Sequence, residues 1–160
     1  RMGELLGRPE RAAALIAAFD RTIAELHDRG AGGTAPLAVV YHVGDRAEGR
    51  GTIADDVLAA AGWRNLAAEL GIEETGALPL ETVLMHRPDV VLVGAAEAAW
   101  STPAQQNLAH PAIEAAFGQG TRLAVLPDRF IVCGSTSVTE VVRRLVDERR
   151  RLAGEPRVVR

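Results

Sequence analysis

The sequence lacks the features that would place it in several broad classes. Its single cysteine, Cys133, cannot form an internal disulfide, and no CxxC or Cys/His cluster shows zinc-ligand spacing. No window approaches the ~20 uninterrupted apolar residues of a membrane helix. The opening residues, RMGELLGRPE, carry no apolar signal-peptide core. Positive charge is not in excess: the formal net charge is -3, which gives no overall attraction to nucleic acid and disfavours a genome-binding role. The one basic run, Arg143, Arg144 and Arg149 to Arg151, has no interleaved aromatics to stack bases, and reads as a solvated face complementing a helix C-terminus.

What is present is a patterned apolar half. Apolar residues make up 48% of the 160 positions, enough for one domain with one sizeable core that buries roughly 68–70% of its unfolded surface. Ala12, Leu15, Ile16, Phe19, Ile23 and Leu26 recur at three- and four-residue steps between Arg8 and Arg29, with Pro9 near the start and Gly30 past the end. That spacing predicts a long amphipathic helix. After a small-residue linker, PLAVVYHV, PDVVLVG and TRLAVLP are continuous apolar runs typical of strands buried on both faces. Helices are expected from about Thr52 to Ala61, after Pro79, from about Pro103 to Phe117 with a break at His110-Pro111, and from Ser137 to Leu152. Alternation of this kind predicts an α/β fold, a three-layer Rossmann-like arrangement with a mainly parallel sheet, preceded by the long helix.

In such a sheet ligands bind beyond the carboxyl ends of the strands, so residues 44–51, 94–102 and 128–136 are the loops of interest. Gly44 and Gly49 have the outer spacing of a phosphate loop, but Arg50 and Gly51 follow instead of Lys and Ser/Thr. The stretch therefore reads as a connection, or as a grip on another ligand through Arg46 or Arg50, whose planar forks suit carboxylates. A small nucleotide-binding domain or enzyme using this loop or Cys133 is the alternative from another class. Cys133 more simply packs as a small hydrophobe, and Ser135, Thr136 or Ser137 caps the last helix. No pair among His27, His42, His86 and His110 has metal spacing. His42 alone stands near a strand end, where it can face a ligand, and Trp100 lies just past the second strand, where an aromatic overhangs the same edge.

Four phrases carry a family likeness: LLGRPERAAAL, GTIADDVLAAAGWRNLA, LPLETVLMHRPDVVLVG and AHPAIEAAFGQGTRLAVLP. In this order they resemble the linking helix and second lobe of the periplasmic binding proteins that serve ABC importers of iron-siderophores, heme and cobalamin. The resemblance implies residues 1–30 as the linking helix and 31–160 as the C-terminal ligand-binding lobe. The N-terminal lobe, a signal peptide and any lipid-anchor cysteine are then expected upstream of Arg1, in a periplasmic or extracytoplasmic protein. It implies a monomeric, non-enzymatic protein with no cofactor, which captures an iron complex between two lobes and delivers it to a membrane permease. Glu81, in LPLETVL, matches the family's surface glutamate that docks against permease arginines; a helix N-terminus also favours a glutamate on electrostatic grounds alone. Tyr41 or His42 would suit heme as an axial ligand, whereas Arg46, Arg50 and Arg129 suit an anionic ferric siderophore. The stretch EETGA lacks the aromatic that precedes the docking glutamate in cobalamin-binding members.

Overall fold

The computed structural model describes residues 2–30, 33–42, 44–95, 122–127 and 136–154. A short helix α1 (Met2–Leu5) leads into α2 (Pro9–Gly30), which matches the expected amphipathic helix to within a residue at either end. Strand β1 (Leu37–His42) follows, then β2 (Arg46–Glu48), α3 (Ile53–Ala60), β3 (Arg64–Asn65) and α4 (Leu66–Glu69). The chain continues through β4 (Thr75–Ala77), α5 (Leu80–His86), β5 (Val90–Ala95) and β6 (Arg122–Pro127) to α6 (Val138–Gly154). The expected helix at 103–117 and the Cys133 segment lie outside the described residues.

The six strands among the described residues form one mixed sheet in the order β4-β2-β1-β5-β6, with β3 also pairing with β1. The three apolar runs are its parallel centre: Ala38 to Tyr41 align with Val90 to Val93, and Val90 to Ala95 with Arg122 to Pro127. Side chains alternate across β1 as a pleated strand requires. Ala38 and Val40 join Leu26, Val57, Leu58, Trp63, Val142 and Leu145 under α2, α3 and α6. Val39 and Tyr41 join Ala47, Leu66, Leu78 and Val83 under α4 and α5. On β1 and β5 both faces are covered, which is why these two strands read as unbroken apolar runs.

Two elements depart from the expectation. Residues 44–51 are not an open loop, because β2 occupies 46–48 and pairs antiparallel with β1, Tyr41 opposite Ala47 and His42 opposite Arg46. Strand β4, in turn, pairs antiparallel with β2. Three-residue strands reading RAE and TGA have no apolar run to betray them; backbone pairing alone makes them part of the sheet. Gly49 shows how close that pairing is, since a Cβ there would collide with the Ile72 carbonyl.

Trp63 is buried and donates its indole N–H to the Leu145 carbonyl at 3.0 Å. Asn65 is buried too: its amide nitrogen donates to the Glu48 carbonyl and to Asp55 Oδ1, each at 3.0 Å, while its oxygen accepts the Ala67 N–H that opens α4.

Candidate ligand edge

Parallel strands β1, β5 and β6 end on the same edge of the sheet, at His42, Ala95 and Pro127. At that edge β1 turns back into β2. Gly44 and Asp45 both take left-handed backbone angles, φ 76° and 55°, which glycine adopts freely and aspartate tolerates better than most residues. Asp45 uses the position twice. Its carboxylate accepts the Tyr41 hydroxyl at 2.7 Å, and its carbonyl accepts the Leu78 N–H at 2.7 Å, just before α5.

The pleat sets Tyr41 and His42 on opposite faces. Tyr41 is 2% exposed and belongs to the core beneath α4 and α5. Burial first, then the bond to Asp45 and the charges of Asp45 and Glu81, push its hydroxyl well above the usual phenol range. It stays protonated at neutral pH, so the expectation that Tyr41 offers heme a phenolate ligand is corrected: its ring is core and its proton is committed to Asp45.

His42 is half-buried, its side chain 34% exposed, with Nε2 against Glu48 Oε1 at 2.9 Å. The other oxygen of Glu48 accepts the Thr75 hydroxyl at 3.2 Å. A ring held at one nitrogen by a carboxylate has its orientation fixed and its second nitrogen left to present. Beside it, exposed Arg46 donates Nη2 to the Thr75 carbonyl at 2.7 Å, its one side-chain hydrogen bond among the described residues.

Arg50 does not share this edge. Strand β2 runs away from it, so Arg50 lies four residues down, roughly 13 Å of extended chain from Arg46. There its guanidinium donates to the Ala68 carbonyl at 3.3 Å and stands 3.6 Å from Glu73. The expectation that Arg50 serves the same ligand as Arg46 is thereby corrected, and so is the phosphate-loop alternative, which needs a loop where β2 stands.

Glu81 does reach the edge. Helix α5 returns antiparallel to β5, which puts its first turn at the carboxyl ends of the strands, and Leu78 hydrogen-bonds the Asp45 turn there. Glu81 is exposed, and no hydrogen bond or ion pair engages its carboxylate among the described residues. Trp100 and Arg129 lie outside the described residues. The reading of single residues missed Asp45, Glu48 and Thr75. A signal for the first was present, since Gly-Asp directly after an apolar run marks a hairpin turn.

The opposite face carries a second feature. Helix α2 spans about 33 Å, against about 20 Å for β1. Its C-terminal part is in the core through Leu26 and Ile23, while Leu15 and Ile16, in its N-terminal half, are 57% and 62% exposed. Met2, Leu5 and Leu6 are exposed beside them. A groove of about 630 Å³ lies along this half, lined by Leu15, Ile16, Phe19, Ile53 and Val138 among others. No helix among the described residues is long and apolar enough to cross a membrane.

The profile of the family described as periplasmic binding protein matches residues 1–129. Among solved structures, the periplasmic heme-binding protein RhuT from Roseiflexus sp. RS-1 is 25% identical with a TM-score of 0.74, covering 94% of this chain and 60% of that one. An ABC-type Fe3+-hydroxamate transport system from Saccharomonospora viridis DSM 43017 is 21% identical with a TM-score of 0.69, covering 93% and 52%. The periplasmic heme-binding protein HutB of Vibrio cholerae is 21% identical with a TM-score of 0.72, covering 91% and 59%. The chain thus spans about half to three fifths of the length of these structures. No curated protein matches it.

Proposed function

Because the chain belongs to the periplasmic binding protein family, a family of binding proteins and not of enzymes, we propose that it forms the linking helix and C-terminal lobe of the substrate-binding component of an ABC importer. Residues 1–30 are the link and 31–160 the lobe; a second lobe elsewhere in the protein closes the cleft. The observation that carries this reading is the convergence of His42, Arg46 and Glu81 on one edge of the sheet. Chemistry for holding a ligand and a free surface carboxylate for holding a partner stand side by side there. The N-terminal half of α2 exposes Leu15 and Ile16, apolar surface that another lobe can cover.

The ligand is an anionic iron complex, a ferric siderophore. Exposed Arg46 offers a planar donor fork, and Arg129 and Trp100 follow the ends of β6 and β5 in the sequence. Heme is the second reading, favoured by His42, whose ring Glu48 orients as a carboxylate orients a metal-binding imidazole. The iron complex is cargo in either case, and no cofactor is involved. Capture is a rigid-body closure of two lobes limited by the long helix. Glu81 then docks on permease arginines, and the transporter drives release. A monomer in the periplasm or another extracytoplasmic space, anchored by lipid or free, is the setting that this cycle needs.

The test is titration of the full-length protein with a ferric trihydroxamate, hemin, cobalamin, ATP and NAD while Trp fluorescence is followed. Saturable quenching by an iron complex supports the reading. Tight nucleotide binding with no response to any iron or corrin ligand sinks it. For docking, Glu81→Arg should weaken permease binding at least tenfold and leave ligand affinity within about twofold, a loss in the range of a truncated charge pair.

A further inference from the structure

Asp45 stands where the ligand edge and the docking helix meet, and neither role assigned so far uses it. Two hydrogen bonds converge on Asp45, and a third leaves the residue after it. Tyr41, locked in the core with Leu78 and Val83, donates its hydroxyl to the Asp45 carboxylate at 2.7 Å. Leu78, two residues before α5 begins, donates its N–H to the Asp45 carbonyl at 2.7 Å. The next residue, Arg46, pairs with Ala77 in the ladder and donates to the Thr75 carbonyl at 2.7 Å. An aspartate in the left-handed region gives up some backbone stability that glycine would keep. The side-chain bond to Tyr41 offsets that loss and gives the aspartate its use.

We propose that Asp45 is a positioning residue that ties the first turn of α5, and with it Glu81, to the ligand edge, so that the docking carboxylate responds to what Arg46 holds. The inference rests on the docking reading of Glu81. While the cleft is empty, Arg46 is spent on the Thr75 carbonyl of β4. An anionic ligand draws that guanidinium off β4, and the strain passes along one residue of backbone to Asp45. Tyr41 does not yield, because its ring is core, so the displacement goes to the remaining bond, at Leu78, and from there into α5. Closing the cleft and presenting Glu81 are one event rather than two.

The experiment measures the affinity of the full-length protein for its permease in membrane discs, empty and saturated with a ferric trihydroxamate or hemin, and takes the ratio. The loaded wild type binds more tightly. Asp45→Ala and Tyr41→Phe lower the loaded-to-empty ratio about fivefold, the net worth of one hydrogen bond, while affinity for the iron complex changes less than about twofold. Asp45→Asn keeps an acceptor oxygen and tolerates the same backbone angle, so it restores the wild-type ratio. An unchanged ratio in Asp45→Ala, or an Asn variant as impaired as the Ala variant, overturns the positioning role. Glu81→Arg run in parallel separates the two layers. If it docks as the wild type does, the docking reading itself falls; if it fails to dock while Asp45→Ala keeps the ratio, only the role of Asp45 falls.

Discussion

The indole N–H of Trp63 donates to the main-chain carbonyl of Leu145 at 3.0 Å, joining the turn after α3 to the middle of α6 across 82 residues of sequence. Both side chains are 4% exposed, so nothing from solvent replaces the bond. Trp63→Phe keeps most of the ring and loses the donor. It should cost about 1–2 kcal/mol, and Trp63→Ala about 3–5 kcal/mol. Urea unfolding with the slope unchanged is the check.

Asn65 closes three elements with one side chain, bonding the carbonyl of Glu48, the carboxylate of Asp55 and the first turn of α4. Asn65→Ala should lower stability by about 2–4 kcal/mol, the sum of a lost cap and a lost bond to a charged group. Asn65→Asp keeps the cap but sets a second carboxylate against Asp55. At neutral pH it should recover no stability over the alanine variant in the same unfolding assay.

Tyr41 is the chain's one tyrosine, so its ionisation can be read in isolation. Its hydroxyl is raised in the fold, whereas in the unfolded chain it titrates near 10. The folded state therefore keeps a proton that the unfolded state gives up, and stability falls as pH rises above about 10. Below that value the contribution is fully present. Tyrosinate absorbance should appear together with unfolding rather than before it, and Tyr41→Phe should flatten the alkaline fall. Tyrosinate forming early in a chain that remains folded would contradict the buried assignment.

Arg46 and Arg50 were alike in the sequence and are separated in space. Arg46→Ala should weaken binding of a ferric siderophore carrying carboxylate or catecholate groups about tenfold or more, as loss of a charge-assisted contact implies. Arg50→Ala should leave it within about twofold and reduce stability by less than about 1 kcal/mol, its partner Glu73 being 71% exposed. Calorimetric titration of the two variants in the full-length protein distinguishes them, and equal losses would return Arg50 to the cleft.

Much of the fold was legible because its centre is written in long runs. Three apolar strands and the amphipathic α2 each present a period or a run that only one kind of element satisfies. The rim was harder. Strands β2 and β4 are three residues each, and their membership comes from backbone pairing to a neighbour, which no side-chain pattern encodes. The site divided along the same line. His42 and Arg46 pair at the end of β1, but a strand's two faces differ by one residue. Tyr41, one step earlier, points into the core, and Arg50, beyond an unrecognised strand, is carried away.

On the side of β1 away from β5, the sheet stops, among the described residues, at β4, whose three residues, Thr75 to Ala77, include a glycine pressed against Ile72. An open sheet margin is ordinarily a template on which a stray strand can grow. This one has backbone groups for barely one turn of the pleat, and Pro79 stands two residues beyond it, unable to donate to a ladder. The margin that lets the hairpin meet α5 also leaves β4 too little edge for another chain to add to.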